Sequence, residues 1–214
     1  MPELRSCRSF LRRMLRISAG LGFLLLYALS IAHAQVLYQD QLAQVDHLPS
    51  LAARTHDPSD VLLTSLHTII RDDAICCDRD SALQDSAQAA DPKSLKDVAS
   101  KLEGRHLLAD GRPIKVTTEF LTPDAVNSGH LIQMILDQHP PLMEWNSHVY
   151  VVHGVVYAWT ASGSEDSTAV YTVIRKFLLW DTRYADSRRD VVFDRATDDP
   201  NKVQGLLFVL TAAQ

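Results

Sequence analysis

The residues best placed for chemistry lie at the ends of strand-like runs in the second half of this sequence. His148 opens the run HVYVVHGVVYAW, and Asp181 directly follows the run KFLLW. A polar ring at the first residue of a strand can face a cleft at the end of the sheet. A carboxylate at the end of a neighbouring strand can orient an imidazole and stabilise its charged form. The structural alternatives are that His148 edges a sheet and that Asp181 forms a turn.

A second histidine, His153, lies in the same predicted strand as His148. Because successive side chains of a strand point to opposite faces, the odd separation of five residues places the two rings on opposite faces. The two histidines therefore do not form a metal-binding pair on the strand, and we expect His153 to be structural.

Cys76 and Cys77 are adjacent, and only Cys7 accompanies them in the chain. A nucleophilic cysteine needs a stabilised thiolate, which a nearby histidine or a helix N-terminus provides. The alternatives are a buried thiol pair, a vicinal disulfide or a loop position without chemistry. No CxxC or HxxxH spacing supplies further ligands to this pair. We therefore expect no metal and no other cofactor, and the sequence also lacks a phosphate-binding glycine loop, a GxSxG motif and an HExxH motif.

The first 34 residues have the three parts of a cleavable signal peptide. A basic leading region with five arginines precedes an uncharged apolar run at residues 17–31, and Ala32-His33-Ala34 has the small-x-small pattern of a cleavage site. The alternative is an uncleaved anchor, but a run of about 15 residues is shorter than the roughly 20 that span a bilayer. We therefore expect a secreted or periplasmic protein that begins at about Gln35 and is not inserted in the membrane.

Loss of the signal peptide changes the charge of the chain. Residues 1–34 hold five of the 21 basic residues and one of the 26 acidic residues, so the mature chain has a net charge of −9. Nucleic acids and anionic lipids select clustered Lys and Arg, so this balance argues against both as partners. With only two adjacent cysteines left, the mature protein has no disulfide framework and depends on ordinary packing.

The first half of the mature chain carries helical patterns. Residues 35–58 are predicted to form a polar, irregular N-terminal arm. A helix is predicted to begin near Ser59, and its apolar residues recur at helical spacing: Leu62, Leu63, Leu66, Ile69 and Ile70. A second helix is predicted with Asp91 as its cap and Pro92 in its first position, and a third from Thr122 to about Asp137.

The second half carries strand patterns. Runs rich in branched and aromatic residues predict five strands, at residues 114–120, 148–159, 169–180, 190–194 and 205–210. Helices therefore mostly precede a series of neighbouring strands, which is typical of an α+β domain with a mainly antiparallel sheet. Residues 59–214 contain no repeat and no linker, so we expect them to form a single domain.

Two stretches of the sequence resemble papain-like cysteine peptidases of the bacterial C39-like type, which process bacteriocin leaders. These are PPLMEWNSHVYVVHG at residues 140–154 and FLLWD at residues 177–181. The resemblance implies a papain-like fold in which N-terminal helices pack on the sheet. It also implies that His148 is the general base, that Asp181 orients it, and that Cys77 or Cys76 is the nucleophile acting on a peptide bond.

The sequence departs from the family pattern at the nucleophile. In the family the cysteine opens the central helix and a glutamine lies a few residues before it. Here the predicted central helix begins at Ser59-Asp60 without a cysteine, and the nearest upstream glutamine is Gln44. Either the central helix follows Cys77, or the protein is a papain-like domain that has lost its nucleophile.

Two functions are therefore predicted. The first is an exported cysteine peptidase or related acyl-transfer enzyme that acts on peptide or protein substrates. The alternative is a non-catalytic exported α+β domain that binds a peptide, a glycan or a partner protein.

Overall fold

The structure is a computed structural model that describes residues 40–49, 51–70, 85, 88–107, 111–164 and 167–213. The predicted signal peptide and the Cys76-Cys77 pair lie outside the described residues. The chain divides into two compact units, residues 41–157 with 172–214 and residues 1–40 with 158–171. In the smaller unit the structure describes Asp40 and part of a long β-hairpin.

The first helix, α1, spans Pro58–Ile69. Its N-cap is Asp57, whose side chain accepts a hydrogen bond from the backbone N–H of Ser59, and Pro58 occupies the first turn, where a missing N–H costs nothing. The prediction of a central helix here is confirmed, although its cap lies two residues before Ser59.

The second helix, α2, spans Leu95–Leu102 and is capped by Ser94 rather than by the predicted Asp91. The N–H of Leu95 donates to the carboxylate of Glu144 at 3.1 Å. Glu144 is buried, and burial raises the pKa of its carboxyl. This tertiary contact satisfies one of the free N–H groups of the first helical turn and fixes where α2 begins.

The third helix, α3, spans Ser128–Leu136 with Asn127 as its N-cap. The predicted start at Thr122 is wrong, because Pro123–Ala125 form a separate 3-10 turn. The Asn127 side chain accepts hydrogen bonds from the N–H groups of Gly129 and His130, which begins the α-helix after that turn.

Eight strands are described: β1 Gln41–Gln44, β2 Gly104–Leu107, β3 Pro113–Leu121, β4 Leu142–Trp145, β5 His148–Ser164, β6 Ser167–Trp180, β7 Asp190–Asp194 and β8 Val203–Ala213. The five predicted strands correspond to β3, β5, β6, β7 and β8. The short strand β1 lies within the segment predicted as an irregular arm. The neighbouring strands β5 and β6 are described to Ser164 and from Ser167.

The strands form one sheet in the order β2-β3-β8-β4-β5-β6-β7. The recorded pairings are antiparallel, and β1 pairs with residues 154–157 of β5, beyond the four residues that pair with β4. Gly205 of β8 is required by close packing, since a Cβ there would lie 2.8 Å from the Leu121 carbonyl oxygen and closer still to the Phe120 ring.

Both faces of the central strands are buried. One core, beneath α1 and α2, takes alternate residues of β5 and β8: Val149, Val151, Leu207 and Val209. The other core, beneath α3, takes the residues between them: Tyr150, Val152, Leu206 and Phe208. Burial on both faces explains why these strands read as almost continuous apolar runs rather than as strict alternation.

The protein is thus an α+β protein with three described α-helices and a sheet of eight described strands, as the sequence predicts at this level. Among the described helices, none is long and apolar enough to cross a membrane.

Candidate functional site

His148 is placed by a tight turn at the start of β5. Asn146 and Ser147 connect β4 to β5, and both have positive φ angles, of 53° and 61°. Two central residues with positive φ form the turn that best matches the twist of a two-residue hairpin. His148 consequently pairs directly with Trp145 and projects its exposed ring at the end of the sheet.

Asp181 lies at the end of the neighbouring strand β6 and is 3% exposed. Its backbone N–H donates to the carbonyl oxygen of Arg189 at 2.8 Å. Its carboxylate accepts hydrogen bonds from Arg183, from the backbone N–H at 3.0 Å and from Nε at 2.8 Å and 3.0 Å, and Arg183 Nη2 completes the ion pair. The buried carboxylate is therefore held by one guanidinium.

The same guanidinium reaches the imidazole. Nη1 of Arg183 lies 3.4 Å from Nδ1 of His148. Arginine can only donate, so Nδ1 accepts this long hydrogen bond, and the neutral ring carries its proton on Nε2. Arg183 therefore lies between Asp181 and His148, and the structure brings these two residues together through a third that the sequence analysis did not select.

The cluster of Asp181, Arg183 and His148 favours the neutral form of the imidazole. Partial desolvation of the exposed ring lowers the pKa of His148 most, the positive charge of Arg183 lowers it further, and Asp181 opposes both. The pKa of Arg183 is raised, chiefly by its hydrogen bonds to Asp181. A proton leaving a cysteine would have to reach a ring nitrogen whose lone pair already faces a cation, which disfavours a thiolate–imidazolium pair in this arrangement.

Tyr150 forms the inner wall of the cluster. Its side chain is buried, and its ring lies 6.5 Å from that of His148 in an edge-on orientation. Burial is the largest cause of a raised pKa of its hydroxyl, while Arg183 acts to lower it. The phenol oxygen can therefore accept a hydrogen bond from the Arg183 guanidinium.

Helix α1 is anchored beneath the cluster by a buried hydroxyl pair. Ser65 and Thr182 are both 0% exposed, and their hydroxyl oxygens lie 2.8 Å apart. The carbonyl oxygen of Thr182 also accepts a hydrogen bond from the N–H of Ala53 at 2.7 Å. These contacts fix the loop that carries Asp181 and Arg183 relative to α1.

The start of α1 also lies near the cluster. The ring of His56 meets that of Tyr184 edge-on with centroids 5.4 Å apart. Asp57 caps the helix, and the carboxylate of Asp60 accepts hydrogen bonds from the backbone and hydroxyl of Thr55. The described residues at this helix start therefore serve local structure, and none of them is a thiol.

Cys76 and Cys77 lie outside the described residues, so their assignment as nucleophiles stays a prediction. The helix that packs on the sheet before them, α1, begins at Pro58 without a cysteine. The alternative of a central helix that follows Cys77 falls largely on residues outside the described ones, so both alternatives left by the sequence stay open.

His153 takes no part in the cluster. Its ring stacks on Trp180 at 5.0 Å, and the guanidinium of Arg189 lies 3.7 Å from the centre of the same indole. Burial lowers the pKa of His153, with Arg189 acting in the same direction and Asp190 against it. These contacts are those of a half-buried residue packed against its neighbours.

Arg183 could have been found from a local signal. Asp181-Thr182-Arg183 is followed by Asp186-Ser187-Arg188, and in both the arginine folds back on the aspartate two residues earlier. The spacing Asp-x-Arg is short enough for a turn to make this ion pair without help from the rest of the fold.

Among the described residues, no group of three or more His, Cys, Asp or Glu side chains is arranged to hold a metal ion. Comparison with protein-family models, with curated proteins and with solved structures found no match to this chain.

Proposed function

We propose that this chain is an exported, papain-like α+β domain that binds a peptide or a partner protein at the Arg183 cluster, defined as His148, Tyr150, Asp181, Arg183 and Tyr184, and does not cleave it. The observation that carries the proposal is the position of Arg183. It holds both oxygens of Asp181 and donates to Nδ1 of His148. If His148 were a general base, the lone pair of Nδ1 would have to be free to accept the proton of the nucleophile.

The surface beside the cluster has the composition of a protein-recognition site. The exposed guanidinium of Arg188 lies 4.5 Å from the centre of the Tyr184 ring, and His56 contacts the same ring. Tyrosine and arginine are enriched among residues that carry binding energy at protein interfaces. Arg183 pairs with Asp181, and Arg188 pairs with Asp186, so the net charge of this surface is close to zero. Such a surface favours aromatic and hydrogen-bonding contacts over a strongly charged partner.

The proposal is tested with a random-peptide array probed by the mature protein. We expect retained peptides whose binding survives the double substitution Cys76→Ser and Cys77→Ser and is lost in Arg183→Gln. The matched control is Arg105→Gln, which removes an exposed guanidinium on the edge strand β2, at the opposite end of the strand order from β6. Equal loss of binding in both arginine variants would show only a charge effect and would contradict a role of the Arg183 cluster.

A cysteine peptidase remains the second candidate. The observation in its favour is that His148 at the start of β5 and Asp181 at the end of β6 lie in one cluster, the layout that the papain-like resemblance implies. It requires Cys77 or Cys76 to reach His148 and Arg183 to leave Nδ1. Hydrolysis of peptides from the same array that disappears in both Cys77→Ser and His148→Ala would establish it and reject the binding-only function.

A further inference from the structure

A cavity of about 310 Å³ lies on the α3 side of the sheet, and both polar and apolar groups line it. Its floor consists of buried apolar side chains from four strands: Met143, Ile174, Phe177, Phe193 and Leu206. Pockets for small ligands are typically this size or larger and combine apolar walls with a few polar groups at fixed points. None of the five residues of the Arg183 cluster lines this cavity.

The mouth of the cavity carries the polar groups. Arg195 and Asp124 are exposed lining residues, and neither forms an ion pair among the described residues. Ser128, the first residue of α3, also lines the cavity. The N-terminus of this nine-residue helix carries partial positive charge.

The charges at the mouth of the cavity favour an anionic group of the ligand. The guanidinium of Arg195 offers a planar fork of donors that matches a carboxylate. The partial positive charge of the α3 N-terminus acts in the same direction, although the Gly129 and His130 N–H groups are already bonded to Asn127. Asp124 opposes both but is a single short side chain on the exposed 3-10 turn. A carboxylate seated at Arg195 would leave the rest of a ligand facing the apolar floor.

The volume of the cavity limits the length of the apolar part of the ligand. A water molecule occupies about 30 Å³ of the liquid, and a methylene group occupies nearly as much. The cavity therefore accommodates about ten such groups. We propose that it binds a medium-chain carboxylic acid, with an unbranched chain of about ten carbons on the floor and the carboxylate at Arg195.

Calorimetric titration of the mature protein with decanoate, below its micelle concentration, tests the proposal. We expect saturable one-to-one binding that weakens about tenfold for each two carbons removed, since every methylene lost reduces the buried apolar surface. Decanol and decylamine are the neutral and cationic comparisons, and both should bind at least tenfold more weakly than decanoate.

Substitutions then separate the two halves of the site. Arg195→Gln should weaken decanoate about tenfold and leave decanol unchanged, whereas Arg105→Gln on the edge strand β2 is the matched control and should change neither. Asp124→Asn should strengthen decanoate. Val126→Trp, at the half-buried rim, should abolish binding of both ligands, and circular dichroism establishes that each variant is folded.

Absence of decanoate binding in the wild-type protein would overturn the proposal. Val203 also lines the cavity, as Val126 does. Decanoate binding that survives in both folded Val126→Trp and folded Val203→Trp would also overturn the proposal, because decanoate would then bind elsewhere. Equal affinity for decanoate, decanol and decylamine would overturn the assignment of the carboxylate to Arg195. None of these results depends on whether the Arg183 cluster binds peptides, so the two proposals fail separately.

Discussion

At the scale of residues, Arg183 decides what His148 can do. In a nucleophile–base pair, a carboxylate holds one imidazole nitrogen and leaves the other to take the proton. Here Asp181 is saturated by Arg183, and the Nδ1 of His148 accepts from the same guanidinium. Arg183 thus satisfies the Asp181 carboxylate and Nδ1 of His148 together, as expected of a rigid polar network.

Replacement of Arg183 by Gln should raise the pKa of His148. Arg183 lowers this pKa while Asp181 raises it, so removal of the cation leaves the carboxylate as the nearest charge. A pH titration followed by NMR of the His148 ring protons measures the shift. The variant should also be about 2–4 kcal/mol less stable, because the buried Asp181 carboxylate loses its partner. An unchanged or lower pKa of His148 would contradict the contact with Arg183.

A second residue-scale prediction concerns stability against pH. The folded protein lowers the pKa of His153 below its unfolded value of about 6.5. The unfolded chain therefore binds the proton more readily, and the stability gained from a neutral His153 is present above pH 6.5 and is lost as the pH falls. Urea unfolding between pH 8 and pH 5 should show this loss in the wild type.

The matched variants for this prediction are His153→Phe and the exposed His139→Phe. The first keeps an aromatic ring on Trp180 and should reduce the fall in stability at acid pH, whereas the second should leave it as in the wild type. If the free energy of unfolding falls equally at acid pH in His153→Phe and in the wild type, groups other than His153 cause the fall.

At the scale of elements, the contact between α1 and the loop after β6 positions the site. The hydroxyls of Ser65 and Thr182 are fully buried and bonded to each other. An unpaired buried hydroxyl loses its hydrogen bonds to water without replacement. The pair therefore fixes the loop at the one position that satisfies both groups.

A double-mutant cycle tests this contact. Thr182→Val should destabilise the protein by about 1–3 kcal/mol, because it leaves the Ser65 hydroxyl unpaired. The double variant Ser65→Ala with Thr182→Val should lose less than the sum of the single variants, as measured by urea unfolding. Strict additivity would show that the two hydroxyls are not coupled.

The bounds of the helices and strands show which elements can be predicted from local sequence patterns. β7 was predicted at its observed bounds, and the strong runs predicted β3, β5, β6 and β8, since long apolar stretches report burial directly. The edge strands β1 and β2 were missed because four residues are too few to show a pattern. The start of α2 was misplaced because Glu144, distant in sequence, accepts the hydrogen bond of Leu95.

The candidate site was predictable only in part. The ends of β5 and β6 identified His148 and Asp181 as residues that could meet, and the structure places both in contact with Arg183. Strand patterns carry no information on which cation occupies the space between two side chains. The prediction that Asp181 orients His148 directly therefore left out the residue that separates them.

At the scale of the whole molecule, two apolar cores lie on opposite faces of one sheet. We expect this packing to keep the protein stable whether Cys76 and Cys77 are reduced or oxidised. If the proposed signal peptide is removed, intact mass spectrometry of the expressed protein should give an N-terminus at about Gln35 and report the state of the pair. A full-length mass with residues 1–34 attached would contradict the signal peptide.

Because the protein is proposed to bind rather than cleave, the reactivity of its thiols tests the central claim most directly. The measurement is the rate of iodoacetamide labelling of the reduced native protein at neutral pH, compared with that of free cysteine and with that of His148→Ala. We predict a rate no faster than that of free cysteine and unchanged by the substitution, because Arg183 occupies the nitrogen that would stabilise a thiolate. Faster labelling that depends on His148 would contradict the account and restore the peptidase.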